Sequence, residues 1–266
     1  MRPEVMVETV IPSDPDASFS GQKGPGYKAQ IAETCDENNP FQVVDYMEIE
    51  KAHESDQNAT VTAHQELIER GHEPEKTFVD AGYVSGENIV ETGELGVDLQ
   101  GPLPGRQIEE TEESEFVYDD NYREVKSCPR GCIPERNEYD EKRDEVRAYF
   151  KIEGCAGCPH EKKCPARKVG AYRVFKIKRF HAATVSRRKE QKTREFKEAY
   201  KKRSAVEGTI SQFKNTLGMS RMNVRGSPPV RLRGFFKAIG INIWRLINYV
   251  QETAEKCQKA LCGAAA

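Results

Sequence analysis

Residues 200–214 have the spacing of a helix with two different faces. At about 100° per residue, four polar side chains fall within a stripe about 60° wide: Tyr200, Arg203, Glu207 and Lys214. A separate apolar stripe lies beside it and is formed by Val206, Ile210, Phe213 and Leu217. The pattern predicts a helix that buries the apolar stripe and directs one carboxylate, two cations and a phenol toward a ligand.

These four polar side chains suit a phosphodiester. Arginine and lysine contact phosphate oxygens, a tyrosine hydroxyl can donate to them, and a carboxylate can hold a hard divalent metal ion. Nucleic acid is therefore the first substrate to consider. The alternative is an ordinary solvated helix face on which Arg203 and Glu207 form an i,i+4 ion pair.

The size and composition of the chain indicate one large domain or a domain with an insertion. Its 266 residues are 37% hydrophobic and 32% charged. No apolar run approaches the roughly 20 residues needed to span a bilayer, and the first residues lack the apolar segment of a signal peptide. We expect an intracellular, cytoplasmic protein without a membrane partner.

The formal net charge of -2 conceals a strong division along the chain. Residues 161–250 contain 24 Lys and Arg but 5 Asp and Glu, whereas the remainder contains 17 and 38. A basic half of this kind is typical of a protein that binds a polyanion, and the alternative is pairing with the acidic half. The basic clusters predicted to contact phosphates without reading sequence are 187–189, Lys201 with Lys202, and Arg221 with Arg225.

The first 103 residues alternate short strand patterns with turns and then with helices. The candidate strands are 7–11, 27–34, 42–49, 76–79 and 97–99. The candidate helices are 59–70 and 85–95. The first three strands suggest an antiparallel meander, and the later alternation predicts an α/β fold in which helices cross over a mixed sheet.

The rest of the chain divides into an insertion, a helical segment and a tail. Residues 104–183 contain five of the eight cysteines and break the earlier pattern, so we interpret them as an insertion. Helical spacing returns over 186–217, and Pro228 and Pro229 open a last helix. We expect that helix to pack on the sheet through Phe235, Ile239, Ile243, Leu246 and Val250. The predicted regions are 1–103, 104–183, 184–256 and 257–266.

A metal site for phosphoryl transfer on DNA needs several acids that meet in space. The best partner for Glu207 is Asp80, at the carboxyl end of a short apolar strand and before a glycine turn. Asp14 and Asp16 are both available for a third position. Taken singly, each of these aspartates is more often a turn residue than a ligand.

At this point the sequence resembles the DDE transposases of bacterial and archaeal insertion sequences. Their signature is Tyr, two residues, Arg, three residues, Glu, six residues and Lys, which Tyr200, Arg203, Glu207 and Lys214 match. Asp80-Ala81-Gly82-Tyr83 is similar to the Asp-x-Gly-Tyr element around the second acid of the family. Asp14-Pro15-Asp16-Ala17, followed by Gly26-Tyr27-Lys28-Ala29-Gln30, resembles the first-acid segment of one subgroup. The resemblance covers residues 10–250 or so.

The resemblance implies a fold and a mechanism. The fold is RNase H-like, with a mixed sheet flanked by helices and a Cys-rich insertion before the last catalytic helix. Asp14, Asp80 and Glu207 would coordinate Mg²⁺ or Mn²⁺, which activates water and then a 3′ hydroxyl for in-line attack on DNA phosphates. Tyr200, Arg203 and Lys214 would hold the DNA backbone near the cut. Asp16 remains the alternative first acid.

The resemblance also implies partners. These are double-stranded DNA, as element ends and target, and further copies of the chain in a DNA complex, which would associate with the nucleoid. Family members carry a sizeable region ahead of the first acid, whereas 13 residues precede Asp14, so we expect the C-terminal catalytic part of a longer or split transposase. One alternative is a truncated, non-catalytic remnant that binds DNA or a partner transposase subunit. Another is a nuclease of the same fold.

The cysteines of the predicted insertion suggest a second, structural metal site. Four thiolates could bind a tetrahedral Zn²⁺, and the set we favour is Cys128, Cys155, Cys158 and Cys164. Cys132 and His160 are substitute ligands. Unliganded thiols or an iron–sulfur cluster are the alternatives, whereas disulfides are disfavoured in an intracellular chain.

Overall fold

The computed structural model describes residues 13–21, 24–105 and 112–263. Two compact units make up the chain: residues 1–54 with 202–266 form unit 1, and residues 55–201 form unit 2. Both contain strands and helices, so the α/β class is confirmed. The predicted strand 7–11 lies outside the described residues.

The strands in the described ranges are β1 (Ser18–Ser20), β2 (Gly24–Glu33), β3 (Val44–Lys51), β4 (Lys76–Phe78), β5 (Asp98–Gln100), β6 (Val117–Tyr118), β7 (Val125–Ser127), β8 (Arg136–Asp140), β9 (Glu145–Lys151), β10 (Arg167–Val169) and β11 (Tyr172–Lys178). The α-helices are α1 (Asp56–Glu69), α2 (Gly86–Glu94), α3 (Ile152–Cys155), α4 (Arg179–Glu190), α5 (Arg194–Tyr200), α6 (Ser204–Ser211) and α7 (Ser227–Gly263). Short 3-10 helices occupy Ala81–Tyr83, Glu112–Glu115 and Lys201–Arg203, and Gln212–Thr216 form a π-helical turn.

Unit 1 is an antiparallel sheet covered by helices. Its strands lie in the order β1, β2, β3, with Tyr27 opposite Lys51 and Ala32 opposite Tyr46. The predicted strands 27–34 and 42–49 and their antiparallel arrangement are confirmed. The core of the unit packs α7 and the π-helical turn against β3, and its buried members are Val44, Met47, Ile49, Phe213, Val230, Ala238 and Ile241.

Helix α7 packs on the sheet through a different face from the one predicted. Val230, Gly234 and Ala238 face β3, and a Cβ atom added to Gly234 would lie 3.1 Å from Ile49 Cδ1. The expected stripe of Phe235, Ile239, Ile243, Leu246 and Val250 is exposed instead. The prediction was wrong because small residues allow the helix backbone to approach the strand more closely than large ones do.

Unit 2 begins with a β–α–β element. β4 and β5 pair in parallel, with Thr77 opposite Leu99, and α2 connects them. Helix α2 packs against α4, and a Cβ atom on Gly86 would lie 2.1 Å from the Phe180 carbonyl oxygen. The helices predicted at 59–70 and 85–95, and the strands at 76–79 and 97–99, are confirmed to within a few residues.

The Cys-rich part of unit 2 is built mainly of antiparallel strands. β6 and β7 form a hairpin, and a four-stranded sheet follows in the order β10, β11, β9, β8. Phe116 stacks on Phe175 at a ring distance of 4.0 Å within its core. Two statements about the fold stay predictions: that this part is an insertion and that the fold is RNase H-like. The predicted ends of the regions at 103, 183 and 256 also stay predictions.

The helical segment predicted over 186–217 is mostly helical, but it is divided into several helices. α4 ends at Glu190, and Thr193 caps a new helix by accepting a hydrogen bond from Phe196 N at 3.2 Å. After α5, the 3-10 helix at 201–203 and the π-helical turn at 212–216 change the residue spacing. Residues 200–214 are therefore helical throughout but do not form one regular α-helix.

No helix among the described residues is long and apolar enough to cross a membrane.

Candidate active site

Asp14 is held by three hydrogen bonds within unit 1. Its Oδ1 accepts from the Tyr27 hydroxyl at 3.0 Å and from Asp16 N at 3.3 Å, and its Oδ2 accepts from Gly226 N at 3.0 Å. Burial raises the pKa of Asp14, but the hydrogen bonds from Gly226, Tyr27 and Asp16 outweigh it, so the pKa is lower than usual. Asp14 is thus an oriented carboxylate that is ionised at neutral pH.

Asp16 lies at the start of α7. Its Oδ2 accepts a hydrogen bond from Ser227 N, the first residue of the helix, at 2.9 Å. Helix starts leave backbone N–H groups without partners inside the helix, and the Asp16 carboxylate satisfies one of them. This contact gives Asp16 a structural role.

Asp80 lies two residues beyond the end of β4 in unit 2. It precedes the 3-10 helix Ala81–Tyr83, and its Oδ1 accepts a hydrogen bond from Ala81 N at 2.7 Å. A Cβ atom on Gly82 would be 3.3 Å from Asp56 Oδ2. A second carboxylate therefore lies against the Asp80 turn, and the sequence analysis missed it. The available signal was the position of Asp56 directly after Ser55, which caps α1.

Tyr200 is attached to the strand end that precedes Asp80. Its hydroxyl donates to the Val79 carbonyl oxygen at 3.0 Å, and its ring stacks on Phe196 with centroids 5.8 Å apart. Val79 is the residue immediately before Asp80. The hydroxyl predicted to contact DNA is thus engaged with the backbone beside a candidate catalytic acid.

Glu207 lies on α6 of unit 1 and pairs with Arg203. The Arg203 Nη1 and Glu207 Oε1 atoms are 2.7 Å apart, which is the i,i+4 pair considered as an alternative. The Glu207 side chain nevertheless remains 63% exposed. Its carboxylate is therefore both oriented by a cation and open to solvent.

A buried polar network holds α6, and it too was missed from the sequence. Thr209 donates to Glu33 Oε2 at 2.6 Å, and Arg245 Nη2 lies 3.1 Å from the same oxygen. Arg245 also donates to the Gln42 carbonyl oxygen at 2.9 Å. The Glu33 side chain is 5% exposed. The network fixes the helix that carries Glu207 to β2 and α7.

The predicted DNA-binding cations differ in their surroundings. Lys214, Arg221 and Arg225 are exposed. Lys201 pairs with Glu198 at 2.6 Å, and Lys202 pairs with Glu37 at 3.0 Å. These two lysines are on the surface and in pairs that solvent weakens, so they can still exchange partners.

The 187–189 cluster does not form a free basic surface. The Arg187 side chain is 4% exposed and pairs with Asp98 and Glu190 at 3.6 and 3.2 Å. Lys189 pairs with Glu115 at 3.0 Å. The expectation that Arg187 contacts phosphates was wrong, because it is a buried partner of acids in its own unit.

The three candidate catalytic acids are described in two units: Asp14 and Glu207 in unit 1, and Asp80 in unit 2. Carboxylate oxygens are the ligands that Mg²⁺ and Mn²⁺ prefer, so the donor types fit these ions. Across residues 13–21, 24–105 and 112–263, no group of three or more His, Cys, Asp or Glu is arranged to hold a metal ion.

Five cysteines line one cavity in unit 2. They are Cys128, Cys132, Cys155, Cys158 and Cys164, together with His160 and the rings of Phe116 and Phe150. Burial raises the pKa of the Cys132 and Cys155 thiols. Among the residues that the structure describes, neither these cysteines nor His160 belongs to a group of three or more side chains that could hold a metal ion. The cysteines converge as predicted, but zinc is not supported.

Residues 127–247 match the family model described as "Transposase DDE domain". None of the curated proteins and none of the solved structures compared with the chain matches it. The matched segment contains Tyr200, Arg203, Glu207 and Lys214, whereas Asp14 and Asp80 precede it. The family description agrees with the polar face around Glu207 and with the basic C-terminal half. Over residues 127–247 the chain is therefore similar to the DDE domain of transposases.

Proposed function

We propose that this chain cleaves DNA strands and transfers them to target DNA during movement of an insertion sequence, using Mg²⁺ or Mn²⁺. The observation that carries the proposal is the DDE-domain match over 127–247, which includes Glu207 in its Tyr-Arg-Glu-Lys spacing. The macromolecular partner is double-stranded DNA, both as element ends and as target.

Asp14, Asp80 and Glu207 are the residues that would hold the divalent ion. A bound ion of this kind lowers the pKa of water and neutralises charge on the phosphate. The lowered pKa of Asp14 and the exposure of the Glu207 side chain support their assignment as ligands. Asp16 is less suited because its carboxylate binds the start of α7.

The remaining residues of the face would position substrate and acids. Arg203 orients Glu207 and, with Lys214, offers positive charge to the DNA backbone. Tyr200 acts through Val79 as a positioning residue for Asp80. The network of Glu33, Thr209 and Arg245 fixes α6.

The order of elements supports an RNase H-like fold for this catalytic part. Three antiparallel strands are followed by a helix, a parallel strand pair joined by a second helix, and then the Cys-rich sheets. In open α/β sheets, reacting groups collect beyond the carboxyl ends of strands. Asp80 has that position relative to β4.

Cleavage of a DNA fragment that carries the gene's own flanking sequence tests the proposal. We expect cuts at the 3′ ends that require Mg²⁺ or Mn²⁺, that are abolished by Glu207→Gln and that persist in Glu198→Gln. Glu198 is a matched control because it is an exposed glutamate on the neighbouring helix α5.

Two outcomes would contradict the proposal. Equal cutting by wild type and Glu207→Gln would exclude Glu207 as a catalytic acid. If all three proteins bind DNA with a steep salt dependence and none cuts, the chain is a non-catalytic transposase remnant.

A further inference from the structure

Helix α7 has two apolar faces on opposite sides. One face, with Val230, Ala238 and Ile241, is buried against β3 in unit 1. The opposite face exposes large apolar side chains whose exposed fractions range from 37% to 64%: Leu232, Phe235, Phe236, Ile239, Ile243, Leu246, Ile247 and Val250. Exposed apolar surface of this extent on a helix marks an interaction site.

The exposed face has the spacing of a helix–helix seam. Leu232, Phe236, Ile239, Ile243, Leu246 and Val250 follow one another at intervals of four, three, four, three and four residues. This 3.5-residue repeat keeps a seam turned toward a partner helix of the same kind.

The seam is also free of charge. At about 100° per residue, residues 228–257 place no charged side chain within a sector about 120° wide around the seam. The charged residues of the same stretch lie outside that sector, and they include Arg231, which pairs with Glu48 beside the buried face. A polyanion such as DNA is therefore a poor occupant of this face, because it needs cations.

We propose that the exposed seam of α7 binds the same seam of a second copy of this chain. The seam consists entirely of apolar residues, so two copies of it can pair without burying a charge: one set of positions holds Phe236, Ile243 and Val250, and the other holds Leu232, Ile239 and Leu246. The exposed apolar side chains of this face offer about 800 Å² per copy, or about 1,600 Å² in a pair, which is the standard size of a stable protein–protein interface.

The association does not depend on DNA or on catalysis, so it can be tested on the purified chain alone. Sedimentation velocity at about 0.5 M salt, where contacts with residual nucleic acid are screened, should give twice the chain mass of 30.1 kDa. Ile243→Glu, at the centre of the seam, should raise the dissociation constant at least tenfold because it buries a charge in the interface. Gln251→Glu adds the same charge on the same helix outside the sector and should leave the dimer intact.

Ile243 is 53% exposed, so the variant should fold, and circular dichroism checks this. Ile239→Glu is the second variant, with the same expected result. A wild-type monomer at about 100 µM, above the dissociation constants of stable interfaces, would overturn the proposal. So would a dimer that survives both glutamate substitutions. A monomer that binds vesicles of phosphatidylcholine and phosphatidylglycerol, and loses this binding in Ile243→Glu, would also overturn it by assigning the face to a lipid surface.

Discussion

The hydroxyl of Tyr200 contacts the backbone that carries a candidate catalytic acid, Asp80. It donates to Val79 O, one residue before Asp80, from the last residue of α5. Helical spacing places the Tyr200, Arg203 and Glu207 side chains on one face of a helix. It predicts the direction of each side chain but not its hydrogen-bond partner. The contact supports the proposal that Tyr200 positions Asp80.

Replacement of Tyr200 by Phe should lower the free energy of unfolding by about 0.5–1.5 kcal/mol, since one hydrogen bond to a partly buried carbonyl is lost. Strand cleavage should slow while DNA affinity changes less than twofold. Urea unfolding, a filter-binding assay and the cleavage assay measure these three quantities. A variant with wild-type stability and weakened DNA binding would show that the hydroxyl acts on DNA instead.

The buried imidazole of His64 should make folding pH-dependent. Its Nδ1 lies 2.7 Å from Thr60 O and its Nε2 lies 3.0 Å from Thr77 Oγ1. Burial lowers the pKa of His64, and the hydrogen bond to Thr60 only partly offsets this. Because the folded-state pKa is below the unfolded value of about 6.5, the stability due to neutral His64 is complete above that pH. It is lost as pH falls toward the folded-state pKa.

Chemical denaturation between pH 7.5 and 5 should therefore show the wild type losing stability, and His64→Gln should lose less over the same range. His72→Gln is the matched control, because His72 is exposed in the same unit. Identical pH dependence in the wild type and His64→Gln would contradict this account.

At the scale of elements, the sequence predicted most helices and strands but not which face of α7 is buried. Apolar periodicity is present on both sides of that helix, and the larger residues suggested the wrong side. Small residues such as Gly234 and Ala238 carry little hydrophobic signal, yet they permit the close approach to Ile49 that decides the packing. The break before α5 was missed for a similar reason, because Thr193 acts through one local hydrogen bond.

Two glycines of α7 provide a matched test of this packing. Gly240→Ala should stabilise the protein by about 0.5–1 kcal/mol, because its Cβ meets nothing within 4 Å and alanine favours the helix. Gly234→Ala should be less stable than Gly240→Ala by about 1–3 kcal/mol, since its Cβ would crowd Ile49. Thermal unfolding compares them, and equal stabilisation by both substitutions would contradict the observed packing.

At the scale of the whole chain, internal ion pairs neutralise part of the positive charge of residues 161–250. Arg187 with Asp98, Arg179 with Glu94 and Arg245 with Glu33 join cations of the basic half to acids of the other half. The net charge of a segment could be predicted from the sequence, whereas the identity of the buried cations could not. The cations available to DNA are therefore fewer than the count over 161–250 suggests.

The salt dependence of DNA binding should identify the cations that contact DNA. The double variant Arg221→Gln with Arg225→Gln should reduce the slope of log affinity against log salt by about 2, since each phosphate contact contributes about 0.9. Lys126→Gln with Lys142→Gln removes the same charge from exposed positions in unit 2 and should leave the slope unchanged. Fluorescence anisotropy from low to physiological salt measures both. Equal slopes for the two double variants would contradict the assignment of Arg221 and Arg225.

The proposal that Asp14, Asp80 and Glu207 hold one divalent ion can be tested by iron-directed cleavage of the protein. Fe²⁺ binds carboxylate sites in place of Mg²⁺ or Mn²⁺, and with ascorbate and peroxide it cuts the protein backbone nearby. Mass spectrometry should find cuts close to all three acids. Excess Mg²⁺ and Glu207→Gln should each suppress all the cuts together, whereas Glu198→Gln should not. Cuts near only one of the three acids, or cuts unchanged in Glu207→Gln, would contradict the proposal.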